Sequence, residues 1–209
     1  MKKKRFLILP LLVMVLILIV GCTPSAPPVQ YGTITLQPGP EGIDSTVETK
    51  NPITNYETLT FCEIGRNTPD ILRIYIQFDL STVPADAVVV DANLKLYQYS
   101  TFGDANFTIG LHKVISAWDE STITWNLQPT CSVDAEITSD ITAGVFVWKS
   151  WEIDTLVQAW LDGSITNYGV VLKDTDEASV GFGGAYFWAS DYTTDTSKRP
   201  ELVIDYYIP

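Results

Sequence analysis

The chain is poor in the groups that carry most catalysis. Its 209 residues hold one histidine, three cysteines and 13 basic residues against 25 acidic ones. No Gly-x-Ser-x-Gly elbow, Walker loop, zinc-binding histidine pair or Rossmann glycine pattern occurs. His112 falls in a stretch that reads as a strand, where it is a structural histidine before it is a general base. The acids leave many pairs for glycoside hydrolysis, and nothing singles one out. These absences point to a domain without enzymatic activity. The shortage of positive charge, at a formal net charge of −12, excludes partners that demand a cationic face, namely nucleic acid and anionic lipid surfaces.

The N-terminus is the most explicit segment. Lys2-Lys3-Lys4-Arg5 precede an unbroken apolar run to Val20 and then Gly21-Cys22. A basic stretch, a short apolar core and a small residue at a cut site form an export signal. Ile19-Val20-Gly21-Cys22 resembles the lipobox of prokaryotic lipoproteins, which implies cleavage before Cys22 and a diacylglycerol on its thiol. The alternative is a plain membrane anchor, but Phe6–Val20 is shorter than the ~20 residues that span a bilayer. The expected organisation is a signal peptide over residues 1–21, a Pro/Ser linker over 22–30 and one domain over 31–209. The expected location is extracytoplasmic, lipid-anchored at a cell membrane or cell surface. Losing residues 1–21 leaves nine basic against 25 acidic residues, a formal charge of −16. That suits a divalent cation, or a surface domain that resists self-association. Cys62 and Cys131 remain, and two thiols in an oxidising compartment are disulfide candidates. Such a bond would close a long loop and stabilise by ~2–4 kcal/mol; two free thiols are the alternative.

From Tyr31 onward the pattern is β. Leu72, Ile74, Ile76 and Phe78 alternate onto one face, as do Ala92, Leu94 and Leu96. Further strands are read over Thr33–Leu36, Phe107–Val114, Phe146–Ile153, Gly169–Lys173, Tyr186–Ala189 and Leu202–Tyr207. Leu156, Val157, Trp160 and Leu161 instead fall at helical spacing, with Asp154 or Thr155 as N-cap and Gly163 as stop. The pattern predicts an all-β fold, an antiparallel β-sandwich of jelly-roll type with one short helix near residues 154–162.

Four segments carry a resemblance. Ile76–Pro84 and Val90–Tyr97 are similar to "FDLSxIP" followed by "AxLxLY", with Arg73 standing for an arginine that leads the strand. Trp118–Thr130 resembles "WxExTVTWNNQPT". Trp151–Leu172 and Arg199–Tyr206 resemble a tryptophan-helix-glycine pattern and a closing "RPxLxIxY". In this order they resemble the DNRLRE domains, grouped in part with carbohydrate-binding module family 96 and with disaggregatase-related repeats. The resemblance implies a non-catalytic sandwich that binds polysaccharide or a cell-envelope component. Members of this kind often bind anionic polysaccharide through basic residues; with nine beyond residue 21 and Lys198-Arg199 as their only adjacent pair, this chain is poorly suited to such a ligand. A "SxE" segment of the family is here Ser190-Asp191-Tyr192.

Within Trp118–Thr130 the two tryptophans read first as core anchors. Trp151 and Trp160 read as core, whereas alternation sends Trp148 to the opposite face. Tyr186, Trp188 and Tyr192 are the candidates for an exposed platform on which sugar rings stack. Glu41, Asp44, Asp174, Asp176 and Glu177 are candidate oxygen donors for calcium, though without EF-hand spacing. A structural or adhesive surface domain acting through protein contacts is the second reading, and a polysaccharide hydrolase or lyase the third.

Overall fold

A computed structural model describes residues 28–104, 106–144 and 146–209. The signal segment, the lipobox with Cys22 and the linker up to residue 27 lie outside the described residues. Among the described residues no helix is long and apolar enough to cross a membrane. The elements are β1 (Gln30–Leu36), β2 (Ile43–Glu48), β3 (Phe61–Asn67), β4 (Asp70–Gln77), β5 (Val88–Gly103), β6 (Phe107–Lys113), β7 (Ile137–Ile141), β8 (Val147–Glu152), α1 (Asp154–Leu161), β9 (Val170–Asp174), β10 (Phe182–Trp188) and β11 (Glu201–Ile208).

Every strand pairing is antiparallel, and the strands join in the order β1-β11-β5-β10-β3-β4-β9-β6-β7, with β2 on β4 and β8 on β5. The sheet curls on itself. Inward side chains from nearly every strand, among them Ile64, Ile74, Leu94, Leu96, Ile109, Trp151, Leu172, Phe187 and Ile204, pack into one core. Each large side chain so buried contributes about 1.5–3 kcal/mol. The expected antiparallel β-sandwich with one short helix is the observed fold.

The alternation in β4 and β5 sets their inner faces as expected. β2, β3 and β7 were not foreseen, because they carry Asp, Ser, Thr, Glu or Gly where apolar residues would mark a face. In β2, Asp44, Ser45 and Thr46 are all buried. The helix buries Leu156 and Val157, and Gln158 accepts from Val89 N at 2.8 Å. Its N-cap is Ile153, without a side-chain cap bond, so neither Asp154 nor Thr155 serves there. Asp154 lies instead in the first turn, where a negative charge suits the helix dipole. Gly163 follows the C-cap at φ 73°, a left-handed residue that ends the helix.

A second, smaller core lies on the outer side of β4 and β9. Val47, Tyr75, Val114, Ile123 and Val171 are buried there, with Trp118, Trp125 and Tyr168 packed against them. The segment 115–131 forms this layer. Trp118 donates Nε1–H to Tyr168 O at 2.9 Å and its ring lies 5.7 Å from that of Tyr75. Arg73 fixes the layer from below. It grips Glu177 through Nε at 2.7 Å and Nη2 at 2.6 Å, and donates Nη1–H to Gln128 Oε1 at 2.8 Å. The guanidinium also lies over the Trp125 ring, 4.6 Å from its centroid. A planar fork satisfies a bidentate partner, a third acceptor and a ring face together, which lysine cannot do.

The Cys62–Cys131 disulfide is not formed. Both thiols are free. Cys62 points into the main core, while Cys131 packs against the outer cluster. The sheet separates them. Cys62 donates to Asp44 Oδ1 at 3.6 Å, and Cys131 Sγ lies 3.8 Å from Lys173 Nζ.

Arg73→Lys should destabilise the domain by about 1–3 kcal/mol, since the partners lose charge-assisted bonds at a partly solvated site. Residues 115–131 should become the first site of limited proteolysis. Unchanged melting and cleavage would show that the arginine does not hold this layer.

Candidate functional site

The outer face of β3, β10 and β5 is aromatic. In β10, Phe182, Gly184, Tyr186 and Trp188 alternate outward while Ala185 and Phe187 are buried. Cross-strand partners share a face, so Trp188 opposite Phe61 and Tyr186 opposite Glu63 bring β3 into it. β5 contributes through a bulge. Tyr186 pairs with Ser100 but Phe187 pairs with Gln98, which leaves Tyr99 without a partner. One extra residue reverses the alternation. As a result Tyr97 and Tyr99 point outward before the bulge and Phe102 after it.

Tyr99 fills the gap between Tyr186 and Trp188. Its ring lies parallel to Trp188 at 3.7 Å between centroids, and Tyr192 lies parallel to Trp188 at 3.8 Å. Two rings that close cannot share one face of an indole, so Trp188 is sandwiched. Tyr99 lies 5.8 Å from Tyr186, Tyr186 packs on Phe61 at 6.0 Å and on Phe102 at 5.2 Å, and Phe102 meets Phe182 at 5.4 Å. Gly184 is required here, because a Cβ would stand 2.2 Å from the Phe102 ring. Phe182 is exposed and the other rings are half-buried. Burial pushes the Tyr99 hydroxyl up to about 12, with the Glu63 charge adding to it. Beside this face, Trp148 meets Tyr97 edge-on at 5.2 Å, and Lys198 lies over Tyr97 at 4.5 Å.

The structure therefore brings Tyr186, Trp188 and Tyr192 together as expected for a platform, with one change of role. Trp188 has both faces covered and acts as the spacer of the stack. Tyr99, Phe102, Phe61 and Phe182 were missed. The period-two run Phe182-x-Gly184-x-Tyr186-x-Trp188 was the available signal; the bulge at Tyr99 had none.

The calcium candidates are not gathered. Among the described residues no group of three or more acidic, histidine or cysteine side chains has metal-binding geometry. Glu41 accepts from Gly39 N at 2.9 Å. Asp174 lies 3.2 Å from Arg66, close enough for charge pairing though misaligned for a hydrogen bond. Asp176 gives its carbonyl to Arg66 and Glu177 is held by Arg73. Two arginines thus do at this run what a cation would have done. His112 is buried, with Nδ1 3.0 Å from Ser132 O, and burial lowers its pKa.

Asp44 is a buried residue of β2 rather than a loop ligand. Its Oδ2 accepts from Ser190 N at 2.9 Å, and its own N–H donates to Glu120 Oε1 at 2.8 Å. Burial raises Asp44 to about 6, partly offset by the Ser190 N–H. Burial also raises Glu120 to about 7, with the charges of Asp44 and Asp191 adding to it. The Asp44 carboxylate is thus enclosed and already engaged by protein donors.

The sequence profile of carbohydrate-binding module family 96 matches residues 38–206. The chain belongs to this family. The match spans β2 to β10 and most of β11, and includes the whole aromatic face. No curated protein matches the chain.

Asp44 and Glu120 bind protons more tightly when folded than at their ordinary values of 3.8 and 4.5. The unfolded chain ionises first, so stability should fall as pH rises from about 4 to about 7. Thermal melts across that window should show this decline, and Asp44→Asn should flatten it. A melting temperature that rises across the window would contradict the assignment.

Proposed function

We propose that this protein is a non-catalytic carbohydrate binder, held outside the cytoplasm by a lipid on Cys22, and that a polysaccharide or other cell-envelope glycan lies along the aromatic face. One observation carries the reading. Six rings, those of Phe182, Phe102, Tyr186, Tyr99, Trp188 and Tyr192, form a continuous outward column, on the opposite side of the strands from the main core. Aromatic faces attract the C–H side of a sugar ring, and tyrosine hydroxyls add hydrogen bonds at the rim. Because Trp188 is covered on both sides, sugar contact falls on Tyr192 at the end of the column and on the tilted Tyr186. Family membership supports the ligand class, and the lipobox supports the anchor. The eight residue-to-residue steps from Cys22 to Gln30 reach about 28 Å at full extension, so the domain would stay close to the lipid.

Binding to immobilised glycans should drop about tenfold in Tyr192→Ala and Tyr186→Ala with the melting temperature little changed. Trp188→Ala should remove binding together with the stack. A folded protein that binds no neutral, acidic or basic glycan would reject the reading. For the anchor, Cys22→Ser should abolish incorporation of labelled fatty acid and release the protein from membranes. Continued labelling in that variant would place the lipid elsewhere.

A further inference from the structure

Beside Tyr186 the aromatic face opens into a cleft of about 60 Å³ between β2, β3 and the loop 49–60. It is lined by Thr46, Glu48, Tyr56, Leu59, Glu63 and Leu72. The space admits a few water-sized groups. Its chemistry is one-sided. Glu48 is oriented by the Tyr56 hydroxyl and by Asn51 Nδ2, both donating to its Oε1. Glu63 is half-buried, and only its backbone N–H is engaged in the cleft, by Thr46 Oγ1 at 2.8 Å. Among the described residues the ion pairs are Arg66–Asp174, Arg73–Glu177, Lys95–Glu201 and Lys113–Glu136. None reaches Glu48 or Glu63. Two carboxylates thus share a partly desolvated cleft without a counter-charge, an arrangement that costs free energy until a cation enters. Burial raises the Glu63 pKa, and the Glu48 charge raises it further.

Glu63 also belongs to the aromatic face. It pairs across the strands with Tyr186, whose ring packs on Phe61. A ring seated against Tyr186 would place its substituents at the mouth of this cleft.

We propose that the cleft receives the ammonium group of an amino sugar, so that the glycan taken by the aromatic face carries free-amine units of the glucosamine type. This rests on the reading of that face as a sugar site. Glu63 and Glu48 accept from the ammonium, the Tyr56 hydroxyl keeps Glu48 in place, and Tyr186 carries the apolar side of the ring. The same two carboxylates repel a uronate and leave an N-acetylated unit without its charge.

The test uses the full chain in detergent and mildly acidic buffer. Glucosamine oligomers are compared by calorimetry with N-acetylglucosamine oligomers, glucose oligomers, uronate oligomers and lysine oligomers. Glucosamine oligomers should bind at least about tenfold more tightly than their acetylated counterparts, with an affinity that falls as salt rises. Glu63→Gln should erase that preference while leaving weak binding of neutral oligomers, and Tyr186→Ala should weaken both. Equal affinity for charged and acetylated oligomers, or a preference untouched by Glu63→Gln, would overturn the assignment while leaving the aromatic face a sugar site. Binding of lysine oligomers but of no glycan would overturn it in favour of a protein partner. Binding of none of these would reject the sugar site and the cleft's role together.

Discussion

A strand of sixteen residues cannot keep one face inward along its whole length when its neighbours change. β5 pairs with β11 over Val88–Lys95, with β8 over Asn93–Gln98 and with β10 over Gln98–Gly103. The extra residue at Tyr99 reconciles these pairings. It keeps Leu94 and Leu96 in the core and lets the far end of β5 meet β10 in a different parity. The outer aromatic face is a by-product of that adjustment, because the residue left unpaired is a tyrosine between two other aromatic side chains. The outer column and the inner core are therefore two sides of one register problem.

The second constraint is electrostatic. An acidic chain must either expose its carboxylates or give buried ones partners. Asp174 and Glu177 are placed against Arg66 and Arg73, and Glu48 takes two neutral donors. Asp44 is satisfied by backbone and thiol donors, which only partly offset the rise in pKa that burial causes. The segment 115–131 depends on this economy. Its tryptophans seal the outer cluster only because Gln128 and Glu177 converge on one guanidinium. This is a physical reason for a tryptophan, a glutamine and a distant strand arginine to occur together in such a chain.

Much of this was legible in the sequence, and what was not has identifiable causes. Period-two alternation exposed β4 and β5, and helical spacing exposed α1, because one face of each is apolar. β2 escaped since both its faces are buried and its polar side chains, Asp44 and Thr46, find partners 18 and 17 residues away. Tyr186, Trp188 and Tyr192 could be named from their exposed setting near a loop. The covering of Trp188 could not, because it depends on a register shift in a strand some ninety residues earlier in sequence. The two cysteines misled for a simpler reason. Compartment and count argue for a bond, but only the sheet between them decides whether they can meet.

The sandwiched indole has an optical consequence. Tyr99, Trp188 and Tyr192 lie within 8° of parallel in each adjoining pair and less than 4 Å apart. At such distances the electronic transitions of neighbouring rings mix, and a fixed, asymmetric column of three gives a strong signature in circular dichroism. The aromatic column therefore carries its own chromophore: any event that tilts one ring against the next is written into the spectrum of the unlabelled protein.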